Sequence, residues 1–159
     1  MRRLLFLAAL AALFGACKTG PIVNPLIGPP PEPPAKPFVI PVMANFELSA
    51  SEAVADASAD QPAFFKVYID NKEAGQTGIE PKSKEKKWGA VLTPGNHLFR
   101  FQAWLLPLPG EWTPMAEGWQ PPERFIRIED GTRTIVTLKL YEGGRRHSLQ
   151  VTRAPLVKP

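Results

Sequence analysis

Three features of the sequence predict an all-β fold, in the form of a small antiparallel β-sandwich. Short segments alternate apolar and polar residues with a period of two, turn-forming residues separate these segments, and helical patterns are scarce. We expect the alternating Val, Ile, Leu and Phe to fill the space between two sheets. Residues 42–159 are therefore predicted to form one β-sandwich domain of ordinary size.

The first half of the domain contains three candidate strands. Residues 44–49 form a first candidate strand, and residues 49–60 allow at most one short helix, because Ser49 and Glu52 fit a capping box. Residues 65–69 then alternate as a half-buried strand. A polar turn over residues 70–73 and a return strand over 74–77 complete this half.

The second half contains four more candidate strands, each bounded by turn residues. Pro94, Gly95 and Asn96 precede the first of them, Asp130 and Gly131 follow the second, and a glycine pair precedes the last. The strands are predicted at residues 99–103, 126–129, 136–140 and 149–152. Strands separated by turns at this density are typical of a sandwich.

An apolar leader opens the chain and ends at its one cysteine. Arg2 and Arg3 form a positive region, and residues 4–14 form an apolar stretch too short to span a bilayer. Gly15 and Ala16 precede Cys17, a pattern that resembles the lipobox of bacterial lipoproteins. Residues 1–16 are thus predicted to be a cleaved lipoprotein signal peptide. The alternative is an ordinary leader whose cleavage releases a soluble exported protein.

The lipobox resemblance implies a location and an anchor. It implies that Cys17 becomes the mature N-terminus and carries long acyl chains, palmitate among them, on a diacylglyceryl group. Two or three such chains hold a protein firmly, because each buried methylene contributes roughly 0.8 kcal/mol. Since Lys18 stands where inner-membrane retention favours Asp, the resemblance implies lipid anchoring in the outer membrane, with the domain facing the periplasm.

Residues 17–41 are predicted to be a tether. Nine of the nineteen prolines lie between Pro21 and Pro41, and such a run favours polyproline II and cannot supply ladder hydrogen bonds. The segment is interpreted as a semi-rigid spacer between the lipid and the domain. The alternative is a ligand for a partner that recognises proline.

Composition and motifs argue against catalysis and nucleic-acid binding. Cleavage at Cys17 removes Arg2 and Arg3 from the 19 basic residues, which leaves 17 against 15 acidic residues, so no strong basic excess remains for nucleic acid. His97 and His147 lie in no nucleophile or metal motif, and no phosphate loop is present. We expect a non-enzyme without cofactor or metal, in which His97 has a structural role.

Part of the domain resembles a known family. The segments Val67 to Asp70, Gly75 to Thr77 and Leu92 to Arg100, with a late strand at Ile135 to Leu140, resemble the PEGA-type repeat domain. Transthyretin-like and carboxypeptidase-regulatory-like sandwiches are similar alternatives. Each of these families implies a non-catalytic accessory domain on an exported protein.

An insert over residues 105–122 is the candidate binding segment. Three tryptophans lie in or beside it, Trp104, Trp112 and Trp119, and a loop of this length is uncommon unless it binds something. Aromatic rings on a rigid loop suit contact with a protein partner or stacking on a sugar. The alternative is that the tryptophans fold back and close one end of the sandwich.

A second insert, residues 81–87, carries the basic run of the chain. Its lysines are Lys82, Lys84, Lys86 and Lys87, which form a candidate basic patch. The run is interpreted as a solvated loop, and the alternative is contact with anionic lipid headgroups or acidic envelope polymers.

These features together predict a membrane-anchored envelope lipoprotein that acts as an accessory, structural or partner-binding subunit. An envelope protein is the expected partner, reached through the tryptophan-rich insert, and the membrane is reached through Cys17. The alternative function is a carbohydrate or peptidoglycan binding module that uses Trp104, Trp112 and Trp119 as stacking platforms.

Overall fold

The computed structural model describes residues 40–107 and 110–156. Cys17, the leader and the proline-rich segment as far as residue 39 lie outside the described residues, as do the predictions made for them. The described chain forms ten strands: β1 Phe46–Ala53, β2 Pro62–Ile69, β3 Lys72–Gln76, β4 Glu80–Pro81, β5 Lys86–Ala90, β6 Gly95–Leu105, β7 Thr113–Pro114, β8 Arg124–Ile128, β9 Thr132–Tyr141 and β10 Arg146–Pro155. Three short 3₁₀ turns, Ala57–Ala59, Glu117–Trp119 and Glu142–Gly144, complete the secondary structure of these residues.

The strands form two sheets, and the fold class is the predicted all-β sandwich. The first sheet has the order β10, β9, β1, β5, and the second has the order β3, β2, β6, with β4 beside β2 and both β7 and β8 beside β6. Neighbouring strands run antiparallel except β1 and β9, which run parallel from Phe46 opposite Thr134 to Ala53 opposite Tyr141. This parallel pair is possible because β9 follows β8 of the second sheet in the chain, so that a crossover and not a hairpin brings β9 beside β1.

The inner faces of both sheets share one hydrophobic core. Alternate residues of a strand point to opposite faces, so β1 directs Phe46, Leu48 and Ala50 inward. Phe46 stacks on Phe99 of the opposite sheet with ring centroids 4.5 Å apart. The other core residues are Phe65, Val67, Trp88, Phe101, Ala103, Met115, Ile126, Ile128, Val136, Leu138 and Leu140. The predicted period-two segments therefore face the core as expected.

The turn between β2 and β3 is shorter than the sequence suggested. Asp70 and Asn71 both have positive φ, 50° and 65°, and Ile69 lies directly opposite Lys72. Two successive residues with positive φ make the tight hairpin turn whose twist matches that of the strands. The predicted four-residue turn was therefore too long, and β3 begins at Lys72.

The prediction of a loop over residues 81–87 is wrong at both ends, since Pro81 still belongs to β4. Lys86 begins β5, which pairs antiparallel with β1, and Trp88 reaches the core from it. Gly75 of β3 lies against this indole, since a Cβ at Gly75 would stand 2.7 Å from Trp88 Nε1. The sequence pattern did not reveal β5, because this strand begins with two lysines and only Trp88 and the small residues after it are apolar.

Candidate functional site: an aromatic face on the second sheet

The outer face of the second sheet carries three cross-strand pairs of unusual composition. Phe64 lies opposite Trp104, Lys66 opposite Gln102, and Tyr68 opposite Arg100. These residues alternate with the core residues of β2 and β6, so they point away from the core. We call these six residues, together with Trp112 from the insert, the aromatic face.

The apolar end of the aromatic face is closely packed. Phe64 and Trp104 stack with ring centroids 6.1 Å apart, and Trp112 meets Phe64 edge to face at 4.9 Å. Phe64 is 1% exposed and Trp104 is 2% exposed, whereas Trp112 is half-buried. Aromatic contacts of this geometry stabilise beyond the area they bury. Trp112 thus covers Phe64 and keeps part of its own ring accessible.

The polar end of the aromatic face is a hydrogen-bonded network. Gln102 Oε1 accepts from Trp104 Nε1 at 3.1 Å and from the Tyr68 hydroxyl at 3.3 Å. The Arg100 guanidinium lies over the Tyr68 ring, 4.1 Å from its centroid, which is cation–π geometry. Burial, followed by the nearby Glu73 carboxylate, raises the pKa of Tyr68. These contacts hold the side chains in fixed positions before any ligand arrives.

Lys66 connects the two ends of the face. Its Nζ lies 3.2 Å from Glu73 Oε2 and 5.4 Å from the centroid of Trp104. The side chain is 10% exposed, so its methylenes cover aromatic surface while its charge is balanced by Glu73. Beyond Arg100 the same outer face continues to Phe125 of β8, which is 76% exposed.

The insert is fastened to the sandwich by one glutamine and one methionine. The Gln120 amide accepts from Ala103 N–H at 2.8 Å and donates to the carbonyl oxygens of Met115 at 2.7 Å and Ala103 at 3.2 Å. Met115 itself is 4% exposed and lies in the core, where its Sδ takes the space that a side chain at Gly144 would need. The insert therefore closes one end of the sandwich through a methionine.

The three tryptophans do not form one common platform. Trp104 is buried and shares Phe64 with Trp112, as described above. Trp119 is 40% exposed, and the Arg145 guanidinium lies 5.2 Å from its ring centroid, beside the turn between β9 and β10. No pattern along the chain indicates the pair of Arg145 and Trp119.

The four predicted lysines are also divided by the structure. Lys86 is 2% exposed, and its Nζ donates to the carbonyl oxygens of Pro81, Lys82 and Lys84 at 2.6, 3.1 and 2.9 Å. Burial lowers the pKa of Lys86 to about 8. Three carbonyl acceptors match the three donors of an ammonium group, so residues 81–84 wrap around the Lys86 ammonium group.

The remaining lysines lie nearer the surface and do not form an exposed patch of four with Lys86. Lys84 lies 3.9 Å from Glu80, and Lys87 lies 3.3 Å from Glu85, both as exposed ion pairs. Lys82 is half-buried. Exposed pairs of this kind contribute little to stability, and their charges are largely compensated.

A depression of about 590 Å³ lies where β1 and β9 end together. Glu52, Lys82, Tyr141 and the ion-paired Glu142 and Arg146 contribute to its wall. Burial raises the pKa of Glu52, although Lys82 and Lys86 oppose this. Glu52 follows Phe46, Leu48 and Ala50 on the inward face of β1, a role that the capping-box interpretation of Ser49 and Glu52 concealed.

His97 links two turns. Its Nδ1 lies 2.7 Å from Asp70 Oδ2, and its Nε2 donates to the Thr93 carbonyl oxygen at 2.9 Å. The hydrogen bond to Asp70, and then the one to Thr93, raise the pKa of His97, because a ring that donates from both nitrogens is an imidazolium. Asp70 also accepts from Leu98 N–H, so this constellation joins the β2–β3 turn to β6.

Within residues 40–107 and 110–156, no group of three or more His, Cys, Asp or Glu side chains is arranged to hold a metal ion. The same described residues include no helix long and apolar enough to cross a membrane. Comparison with models of protein families, with curated proteins and with solved structures gave no match.

Proposed function

We propose that this protein is a non-catalytic, partner-binding subunit of the bacterial cell envelope, anchored by lipid at Cys17 in the outer membrane and facing the periplasm. The observation that carries the binding role is the aromatic face. Stacking and hydrogen bonds hold its side chains together, Trp112 is half-buried at one end, and beyond the other end lies Phe125, which is 76% exposed. Large aromatic groups on a fixed scaffold bind proteins at a small cost in conformational entropy.

The proposed contact residues are Trp112 and Phe125 on the outer side of the second sheet, and Trp119 as a separate contact beside the turn between β9 and β10. Each of them keeps apolar area in solvent, and the two tryptophans belong to the insert that Gln120 and Met115 fasten. The arginines nearby, Arg100 and Arg145, lie against aromatic rings, and both arginine and aromatic residues are enriched in protein interfaces. An envelope protein with a complementary apolar groove is the partner that fits this surface.

Carbohydrate binding has weaker support as the alternative function. Trp104 is 2% exposed and offers no face for a sugar, and Trp119 already carries Arg145 over its ring. A stacking role would therefore rest on Trp112 alone or on the open side of Trp119. Fluorescence quenching of the indoles by peptidoglycan fragments is the measurement that would favour this alternative.

The test uses the native chain from gently solubilised membranes, with intact-mass analysis of Cys17 and identification of bound protein. We expect an acylated Cys17 and a partner that the Trp112→Ala, Trp119→Ala and Phe125→Ser variants each bind less tightly. Val91→Ser is the matched control, because Val91 is 63% exposed and follows the end of β5 opposite Phe46, at the far end of the first sheet from Trp119. If Val91→Ser loses the partner to the same extent, the assignment of the contact residues is wrong. If Cys17 is unmodified, the assignment of the lipid anchor is wrong.

A further inference from the structure

Among the residues that the structure describes, β10 is a long open edge of the first sheet. It pairs with β9 through ten consecutive residue pairs without a register shift, from Arg146 opposite Tyr141 to Pro155 opposite Thr132. The other edge strands described, β3, β4, β5, β7 and β8, have five residues or fewer. Short length is one of the ways in which proteins protect a sheet edge, and β10 lacks that protection.

The hydrogen bonds around β9 identify the backbone groups that face this edge. Leu156 N–H donates to the Gly131 carbonyl oxygen at 2.9 Å, in the same register as β10, and Thr134 N–H donates to Asn45 on the opposite side of β9 at 2.7 Å. Because bonding alternates along an antiparallel pair, the even-numbered residues of β10 bond to β9. The odd-numbered residues present their N–H and C=O groups to the open edge.

Four residues of β10 thus offer both a donor and an acceptor at the edge. They are His147, Leu149, Val151 and Arg153. Among the described residues, none of their backbone groups has a hydrogen-bond partner on that side. Pro155, which has no N–H, is the last residue of the strand, so it does not interrupt this row.

We propose that β10 pairs antiparallel with β10 of a second copy of this chain, about a two-fold axis at Gln150. In this register Leu149 lies opposite Val151 of the second copy, and His147 lies opposite Arg153 of the second copy. Every outward N–H and C=O of these four residues then has a partner, and the two first sheets become one continuous sheet. This self-association goes beyond the proposed binding of an envelope partner.

The side chains of β10 favour a second copy over an unrelated strand, because in this register each side chain of β10 lies opposite a compatible side chain of the same strand in the second copy. On the inner face, Leu149 and Val151 are half-buried beside the core, and each meets the other across the new pair. On the outer face, Gln150 meets its own counterpart and Ser148 meets Thr152, which are small polar pairs of the kind that sheets tolerate. A two-residue shift towards the C-terminus would place Pro155 opposite His147 and leave the His147 carbonyl oxygen of each copy without a donor, because proline has no N–H.

Charge also supports this register. Arg153 has its Nε 3.4 Å from Glu129 Oε1 of its own chain, so its charge is already balanced where it faces His147 of the second copy. Arg146 lies opposite Ala154 and meets no cation. The isologous pairing is closed, because each β10 edge is used once and no further copy is recruited.

A disulfide test on the full chain in detergent reads the register directly. Opposed residues of a non-hydrogen-bonded antiparallel pair have Cα atoms about 4.5 Å apart, within the range for a disulfide. We expect Gln150→Cys to form a covalent dimer under mild oxidation. The parent chain, which has only Cys17, is the reference for disulfides that do not involve β10.

Two further variants are matched controls for the same experiment. Ser148→Cys alone places its two thiols four residues out of register, roughly 13 Å apart along the strand, and it should not cross-link. A mixture of Ser148→Cys with Thr152→Cys should cross-link, because these positions face each other. Cross-linking of Ser148→Cys alone as readily as Gln150→Cys would overturn the proposed register, and no cross-linking of Gln150→Cys would overturn the pairing.

Reversible association is measured by sedimentation of the full chain in detergent over a range of concentrations. Gln150 is exposed, so charge at this position leaves the fold intact, which circular dichroism checks. Gln150→Lys and Gln150→Glu each place like charges together, and we expect each to raise the dimer dissociation constant by roughly fivefold. An equimolar mixture of the two should restore dimerisation. A parent chain that stays monomeric at every concentration, or pairing with a different protein's strand alone, would overturn the proposal.

Discussion

The lysine-rich segment at residues 81–87 and the tryptophan-rich insert at residues 105–122 differ entirely in composition, yet each sends one side chain to the same place in the sandwich. Lys86 from the first and Met115 from the second line one small cavity between the sheets, together with Glu52 and Leu140. In each segment, one long and flexible side chain reaches the interior while more conspicuous neighbours stay nearer the surface. The comparison shows that the amino-acid composition of a segment does not identify the residue that anchors it in the core.

The largest expected effect is a difference in the free energy of unfolding between variants of the buried Trp104 and of the exposed Trp119. Trp104→Ala removes a ring that is 2% exposed and packed on Phe64, so we expect a loss of about 3–5 kcal/mol in the free energy of unfolding. Trp119→Ala, at 40% exposure, should change it by less than about 1 kcal/mol. Urea denaturation of both variants measures this, and equal losses would contradict the division of the insert into packed and accessible parts.

The second effect is the loss of stability when Lys86, the anchor of the lysine-rich segment, is removed. Lys86→Ala leaves the carbonyl oxygens of Pro81, Lys82 and Lys84 without their donor, and we expect destabilisation of about 2–3 kcal/mol. The control is Lys84→Ala, whose exposed ion pair at 3.9 Å should contribute almost nothing. Chemical denaturation at constant pH compares them, and a similar result for both would mean that Lys86 is not the anchor.

A third effect tests the fastening of the insert. Gln120→Ala removes three hydrogen bonds to Ala103 and Met115, so we expect a loss of about 1–2 kcal/mol and faster amide exchange at Met115. Glu117→Ala, an exposed change in the same insert, is the control. Hydrogen exchange followed by mass spectrometry gives the local readout. Unchanged exchange at Met115 would show that the methionine alone holds the insert.

The smallest effect depends on pH and concerns Glu52. Burial raises its pKa above the unfolded value of 4.5, so the folded state binds more protons and stability falls as pH rises from 4.5 through the folded pKa. We expect Glu52→Gln to remove this fall and to stabilise the protein slightly at pH 7. Glu47→Gln, an outward change on the same strand, is the control. Thermal unfolding between pH 4 and pH 8 follows both, and an unchanged slope in Glu52→Gln would contradict the assignment.

The local pattern of the sequence was sufficient for much of the framework. The period of two at residues 65–69, 99–103 and 136–140 placed Val67, Phe101 and Leu138 in the core, because a strand has only two faces and one of them must be buried. The expectation failed at β5 and in the insert. There the decisive contacts join residues far apart in the chain, such as Gly75 with Trp88 and Met115 with Gly144.

By itself the sequence determined the all-β class, the main strands and the alternation that separates the two faces of each strand, since these follow from local geometry. Only the tertiary structure decided that β1 and β9 run parallel, that Lys86 and Trp104 are buried while Trp119 is accessible, and that β10 forms an open edge. Such outcomes depend on which strands become neighbours and on which distant groups satisfy a buried donor or fill a cavity. The free energy of those contacts depends on both of the segments that meet, so the sequence of one segment alone does not show which segment it will contact.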